Sequence, residues 1–345
     1  MTLFHLGFPA PSISDLTMPG NAPLARHCEQ LGFDTLWLSN QRFHREMFTR
    51  MASSAMATER IGIGGAVAEA FAVHPLITAQ TLATIDELSG GRATLALGAG
   101  GSGFQMMGIT RQHSAQALKE ALQVMRPLLA GQEVTYEGKI IKANKARLDF
   151  TPVRAVPLWV ATRGDLTLTM AGEHAEGVIL ATYATPPGIE QALDLVEKGA
   201  RRGGRSLADL RILSRVDTCV HPDAGCAYEG SRGMVARFLW SSYPDRNFVK
   251  RVGAEVPGEV EELIAKRDYG LIPRIAGLIP DELVSVFCWA GTPEMVVERV
   301  VAVARSTGIQ EFGFWLLLAP GQTREQAVQL LGTEVLTRLR ASLNG

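Results

Sequence analysis

The sequence has little of what usually announces a function. It holds four cysteines in 345 residues, Cys28, Cys219, Cys226 and Cys288. No two of them stand in a C-x-x-C pair, which argues against a structural zinc site or a thioredoxin-like redox motif. They are expected to be small buried hydrophobes in a reducing cytoplasm. Charge of one sign is missing too: 34 basic against 35 acidic side chains leave a formal charge of −1, without the basic excess of a nucleic-acid protein. No apolar run approaches the ~18 residues of a membrane span. The first residues, Met1-Thr2-Leu3-Phe4-His5, lack the basic region and cleavage pattern of a signal peptide. No set of His and acidic residues converges as metal ligands. The expectation is a cytoplasmic enzyme or binding protein with a small-molecule partner, and with no nucleic acid, membrane or metal.

What the chain does have is glycine, 35 residues of it, set in a regular rhythm. Strands are predicted at Leu3–Phe8, Phe33–Ser39, Ile61–Val67 and Ala93–Gly98, alternating with helices at Asn21–Leu31, Arg45–Thr58, Leu76–Leu88 and Ser114–Leu129. The alternation continues at Pro157–Ala161 with Leu166–Gly172 and at Gly177–Leu180 with Ile189–Ala200. It ends at Leu210–Val220 and at Glu311–Leu318 with Glu325–Leu343. Apolar strands separated by helices imply a parallel sheet covered on both faces. Eight βα units predict an α/β fold, a (β/α)8 TIM barrel whose reactive groups lie at the strands' C-terminal ends. A doubly wound open sheet is the competing architecture. Two stretches interrupt the pattern. Residues 131–152, after the fourth helix, read as a hairpin around Glu137-Gly138-Lys139, and residues 241–281 as a lid within the seventh βα connection. Neither reads as an independent domain, so residues 1–345 are expected to form one.

Glycines gather where strands end. The fourth strand runs into Gly98-Ala99-Gly100-Gly101-Ser102-Gly103, which reads either as an ordinary turn or as a cradle of backbone N–H groups for phosphate. It is not a Rossmann fingerprint or a P-loop, because no helix opens within it and no lysine follows. The fifth strand ends at Ala161-Thr162-Arg163-Gly164-Asp165-Leu166. There a helix start beside an arginine makes an anion site, unless Arg163 is solvated or pairs with Asp165.

A longer pattern joins these pieces. Ile61-Gly62-Ile63-Gly64-Gly65-Ala66-Val67, Ala72-Val73-His74-Pro75, Thr84-Ile85-Asp86-Glu87-Leu88-Ser89-Gly90-Gly91-Arg92-Ala93 and the Gly98–Gly103 loop resemble the bacterial luciferase-like superfamily. The likeness is greatest to its coenzyme F420-dependent members of the methylenetetrahydromethanopterin reductase type. It continues through Pro157-Leu158-Trp159-Val160-Ala161, Ala171-Gly172-Glu173-His174-Ala175 and Ala290-Gly291-Thr292-Pro293-Glu294. The resemblance implies a barrel enzyme, usually a homodimer, that binds F420 or, alternatively, FMN at the C-terminal face. With F420 it would transfer a hydride between deazaflavin and a small organic substrate. With FMN it would be a monooxygenase served by a flavin reductase; a non-catalytic flavin-binding relative is the third possibility. The resemblance further implies a non-prolyl cis bond near Gly65-Ala66-Val67, with Ala68 following. It maps cofactor contacts onto these residues and onto Asn40, Ala99, Gly100, Ser102, Arg163, Gly164 and Leu166.

The chain also departs from the family's patterns. Where some relatives carry an Asp-His pair after the second strand, it reads Asn40-Gln41-Arg42-Phe43-His44-Arg45, and Gly101 stands where others have a catalytic glutamate. Those departures argue against sugar-phosphate oxidation. Glu69-Ala70 replaces the small polar residue and proline of the reductase branch, which argues against methanopterin as substrate. For acid–base chemistry two candidates stand out, Glu69 and His44. Glu69 has the alternative role of a hydrogen bond that fixes the strand-three bulge, and His44 that of an exposed loop residue. His74 reads as structural. Arg42 and Arg45 would meet an acidic group or pair with Glu46. Trp240 and Tyr243 read as substrate-side aromatics, and Trp289 as core. The run Arg201–Arg205 reads as a solvated helix end or, more sharply, a dock for a polyglutamate tail.

Overall fold

The computed structural model describes residues 1–41, 43–100 and 103–344. Its strands are β1 (Leu3–Gly7), β2 (Thr35–Ser39), β3 (Gly62–Ala68), β4 (Ala93–Leu97), β5 (Val134–Glu137), β6 (Lys142–Ala146), β7 (Leu158–Thr162), β8 (Gly177–Ala181), β9 (Arg211–Val220), β10 (Cys288–Gly291) and β11 (Glu311–Leu316). The main sheet has the order β10-β9-β11-β1-β2-β3-β4-β7-β8, and β9 also pairs with β8. The fold is thus a closed eight-stranded parallel barrel, a (β/α)8 TIM barrel, with β10 as an added strand beside β9. Strands β5 and β6 form a separate antiparallel hairpin. By packing, the chain divides into two compact units: residues 5–179 with 194–212, and residues 1–4, 180–193 and 213–345.

The first unit carries α1 (Met18–Gln30), α2 (Met47–Ala57), α3 (Pro75–Leu88), α4 (Ser114–Leu129), α5 (Asp165–His174) and the second half of α6 (Pro186–Arg202). Trp37 and Gly64 are register partners on β2 and β3. A Cβ on Gly64 would stand 2.5 Å from the Trp37 ring, and one on Gly177 would stand 2.3 Å from Trp159. The two indoles meet edge to face at 6.0 Å, and Trp37 Nε1 donates to His5 Nδ1 at 3.1 Å. Two large rings therefore fill space that two glycines leave open.

The Asp86–Arg92 stretch, the most specific part of the family likeness, is a knot of backbone contacts. Asp86 is buried, accepts from Ala93 N at 3.0 Å and pairs with Arg154. Arg92 donates to Ser89 O, Thr58 Oγ1, Ile61 O, Ala55 O and Thr58 O at 2.7–3.0 Å. It thereby satisfies carbonyls at the C-terminal end of α2, which the helix itself leaves unpaired.

Two more acidic side chains do similar work. Glu29 accepts from the N–H groups of Glu59, Arg60 and Ile61 just before β3. Glu120 takes the N–H groups of Lys139, Ile140 and Ile141 at 2.8–2.9 Å and so anchors the hairpin turn. In both, burial pushes the carboxyl upward, but the hydrogen bonds outweigh it and the net pKa is lowered. His174 is also lowered, first by burial and then by Lys119, Arg126 and Arg205, against Glu173. A lowered folded-state pKa means that the unfolded chain binds the proton more readily, so the stabilisation disappears as pH falls. The His174 contribution is complete above about 6.5, and those of Glu29 and Glu120 above about 4.3. The melting temperature is expected to decline below about pH 6.5 and more steeply below about 4.3. Glu120→Gln should flatten the steep limb in thermal melts; a limb as steep as that of the parent protein would refute the assignment.

The second unit holds the long connection between β9 and β11. It runs through α7 (Ala224–Ser242), three short helices, α8 (Asn247–Arg251), α9 (Gly258–Ala265) and α10 (Ile272–Gly277), then α11 (Asp281–Phe287), β10 and α12 (Pro293–Thr307). Trp289 on β10 is fully buried and its Nε1 donates to Ala184 O. The Arg267 guanidinium lies 4.0 Å above Trp240, and that of Arg246 lies 5.4 Å from Tyr243. Cys219 is buried among Ala227, Leu317 and Ala319, and burial pushes the thiols of Cys28 and Cys219 up to about 12. Among the described residues no helix is long and apolar enough to cross a membrane, and no three His, Cys, Asp or Glu side chains gather to hold a metal.

Candidate active site

The C-terminal end of β3 carries the unusual backbone. The Ala66–Val67 peptide is cis, where the family likeness put such a bond, and the pairing of β3 with β4 shifts register between Ala66 and Ala68. Asn40, just past β2, holds this bulge twice: its N–H donates to Ala66 O at 2.9 Å and its Nδ2 to Val67 O at 3.0 Å. On the far side, Gly98 N donates to Ala68 O at 2.9 Å. A Cβ on Gly98 would lie 3.0 Å from both Val67 methyls, so Val67 packs directly on the start of the glycine loop. Gly65 serves the opposite face. A Cβ there would stand 2.7 Å from Met51 Sδ of α2, and this glycine lets strand and helix approach.

Beyond the bulge, Glu69 is buried, and its Oε2 accepts from Phe71 N at 2.6 Å and Ala72 N at 3.0 Å. The carboxylate thus shapes the β3–α3 turn, close to the structural alternative read from the sequence. His74 caps α3, with Nδ1 accepting from Leu76 N, while Nε2 faces Lys142 O of the hairpin at 3.2 Å. His44 is exposed in the bend before α2, and Arg45 donates to Ser14 O. Arg42 and Ser102 lie outside the described residues.

After β4 the chain turns at Gly100, with φ of +73°, a conformation that glycine adopts without steric cost. A Cβ there would stand 2.8 Å from the Phe104 ring and 3.4 Å from Glu69 Cγ. Phe104 meets Phe71 edge to face at 6.1 Å. Arg111, which no sequence motif singled out, donates from Nη1 to Ala99 O at 3.1 Å and to Gly100 O at 2.7 Å, with its guanidinium 4.9 Å above Phe104.

The end of β7 supplies a third segment. Gly164 precedes α5, which begins without a side-chain cap, and nothing stands within 4 Å of where a Gly164 Cβ would be. Arg163 is half-buried, and Leu166 is 81% exposed. Arg205, from the basic run, instead donates to Gly172 O and Ala175 O.

The fold is that of a (β/α)8 barrel, and its candidate site lies at the C-terminal ends of β3, β4 and β7. The chain belongs to the luciferase-like monooxygenase family, a family of oxidoreductases, whose model matches residues 4–311. It is 28% identical to the 5,10-methylenetetrahydromethanopterin reductase of Archaeoglobus fulgidus, over 90% of this chain and 93% of the relative. It is equally 28% identical to an F420-dependent glucose-6-phosphate dehydrogenase of Microbacterium testaceum, over 90% of this chain and 90% of the relative. The solved structure of the coenzyme F420-dependent tetrahydromethanopterin reductase of Methanopyrus kandleri matches with a TM-score of 0.84 at 26% identity, across 98% of this chain and 99% of that one.

Proposed function

We propose that the protein is an F420-dependent oxidoreductase that transfers a hydride between the deazaflavin and a small organic substrate. The observation that carries this reading is the bulged end of β3 clasped by Asn40 and packed against the bare glycine end of β4, in a chain whose relatives include F420-dependent enzymes matched over most of their length. The residues fit a flat, phosphate-bearing group. Gly98 and Gly100 keep side chains away from the end of β4, and Gly164 leaves the uncapped start of α5 open beside Arg163, where backbone N–H groups favour an anion.

A bound deazaflavin supplies the hydride chemistry. The chain supplies position: Asn40 fixes the bulge, Val67 backs the loop, and Arg163 with the α5 start would hold a phosphate. Glu69, with Oε2 accepting from two backbone N–H groups, holds the turn. His44, exposed in its bend, is a weaker acid–base candidate than its sequence position suggested. A homodimer belongs to the same proposal.

Titration with F420 and with FMN, each read by fluorescence, tests the proposal. F420 is expected to bind and FMN to bind poorly, and Gly100→Val and Arg163→Ala should each weaken F420 binding by about tenfold or more. Tight FMN binding without F420 binding would transfer the protein to the monooxygenase branch, and unchanged affinity in both variants would displace the site.

A further inference from the structure

We propose that Arg111 is a positioning residue of this site, the clamp that fixes the carbonyls of Ala99 and Gly100 after β4. The inference rests on the functional reading above only for what the loop binds; the clamp itself rests on geometry. One guanidinium nitrogen holds two successive carbonyls, Ala99 O and Gly100 O. In a trans peptide the N–H points away from the C=O, so turning the Ala99 carbonyl toward Arg111 turns the Gly100 N–H to the opposite side. That donor is thereby directed away from the clamp, and a hydrogen bond from a charged donor is strong enough to hold it so.

The clamp is continuous with the strand-three bulge. Arg111 stacks on Phe104, which covers Gly100 where a Cβ would otherwise sit. Phe104 braces Phe71, and Phe71 N is held by Glu69. Arg111 and Glu69 thus tie the ends of β4 and β3 into one unit through a pair of aromatic rings, Arg111 by carbonyls and Glu69 by the N–H groups of Phe71 and Ala72. The link gives Glu69 a role without proton transfer: it fixes the ring on which the Arg111–Phe104 stack rests. Arg111 itself is exposed, so the guanidinium can be removed without opening the core.

Two measurements on the full chain test the clamp. Amide hydrogen exchange on the protein without cofactor reads the loop directly. Arg111→Met, which keeps the apolar stem over Phe104, should speed exchange in the peptide covering residues 98–110 by about tenfold, with no change in β3 or β7. Arg111→Lys should recover part of the protection, because an ammonium also donates to carbonyls but cannot stack as a plane. F420 titration of the same variants should give an affinity about tenfold weaker for Arg111→Met and intermediate for Arg111→Lys. Unchanged exchange in Arg111→Met would overturn the clamp. Faster exchange spread over the whole barrel, with equal losses in both variants, would also overturn it, since that marks general destabilisation. If the parent protein binds no F420, the cofactor reading fails, and the exchange experiment still decides the clamp.

Discussion

Arg92→Met is expected to lower the melting temperature by about 4–7 °C, the joint result of a ~3–5 kcal/mol loss and the usual entropy scaling for a chain of this size. The guanidinium holds four backbone carbonyls and one hydroxyl drawn from Ala55, Thr58, Ile61 and Ser89. Methionine fills the volume but leaves those acceptors without their charged donor, and stranded polar groups cost more than the net worth of the bonds they lost. Lysine should rescue little, because one ammonium cannot span acceptors at the end of α2, before β3 and before β4 together. A melting temperature within about 2 °C of the parent protein's would show that the knot is ornamental.

Gly199→Val is expected to be at least as severe and to damage the site at a distance. A Cβ at Gly199 would stand 1.9 Å from Thr169 O, and one at Gly172 would stand 2.0 Å from Val196 O. The backbones of α5 and α6 touch there, so any side chain must drive the helices apart. Overpacking of this kind costs ~1–3 kcal/mol and more where backbone must move. Helix α5 starts at the proposed phosphate site, and its displacement carries Gly164 and Arg163 with it. Weaker cofactor binding should therefore accompany the lower melting temperature. Gly199→Ala should show a smaller form of both losses. Loss of stability with cofactor affinity intact would mean that the start of α5 does not hold the cofactor.

Much of the barrel was legible from the sequence because its strands are apolar on both faces and its helices are not. Helix α4 was read to its observed ends, Ser114 and Leu129. Strand β10 was not read as a strand. Its four residues, Cys-Trp-Ala-Gly, follow directly on the apolar helix α11, and periodicity cannot separate so short a run from the helix before it. The C-terminal helix was read as continuous, but a π-helical stretch at Leu331–Leu336 interrupts it, and nothing in its composition marks the change.

The site divides differently. The family likeness located the cis peptide; composition alone would not have done so. Glu69 was noticed because a carboxylate at a strand end suggests chemistry, yet its visible partners are backbone N–H groups. Phe104 and Arg111 went unnoticed for the same reason. Their contacts are rings and carbonyls brought together by the turn at Gly100, and hydrogen bonds to carbonyls carry no residue code. Asp86 and Arg92, the residues that made the family recognisable, turn out to join α2 and the starts of β3 and β4, at the opposite strand ends from the candidate site.

The tryptophan–glycine pairs of the first unit bear on how such a chain can vary. Trp37 needs Gly64 to stay small and Trp159 needs Gly177, while the two rings rest on each other. These four positions are therefore expected to vary as one heritable unit, a methyl gained at a glycine being offset by a smaller ring nearby. Among relatives, size at one member should be traded against size at another, and a chain carrying only half of the exchange should be rare because it would fold poorly.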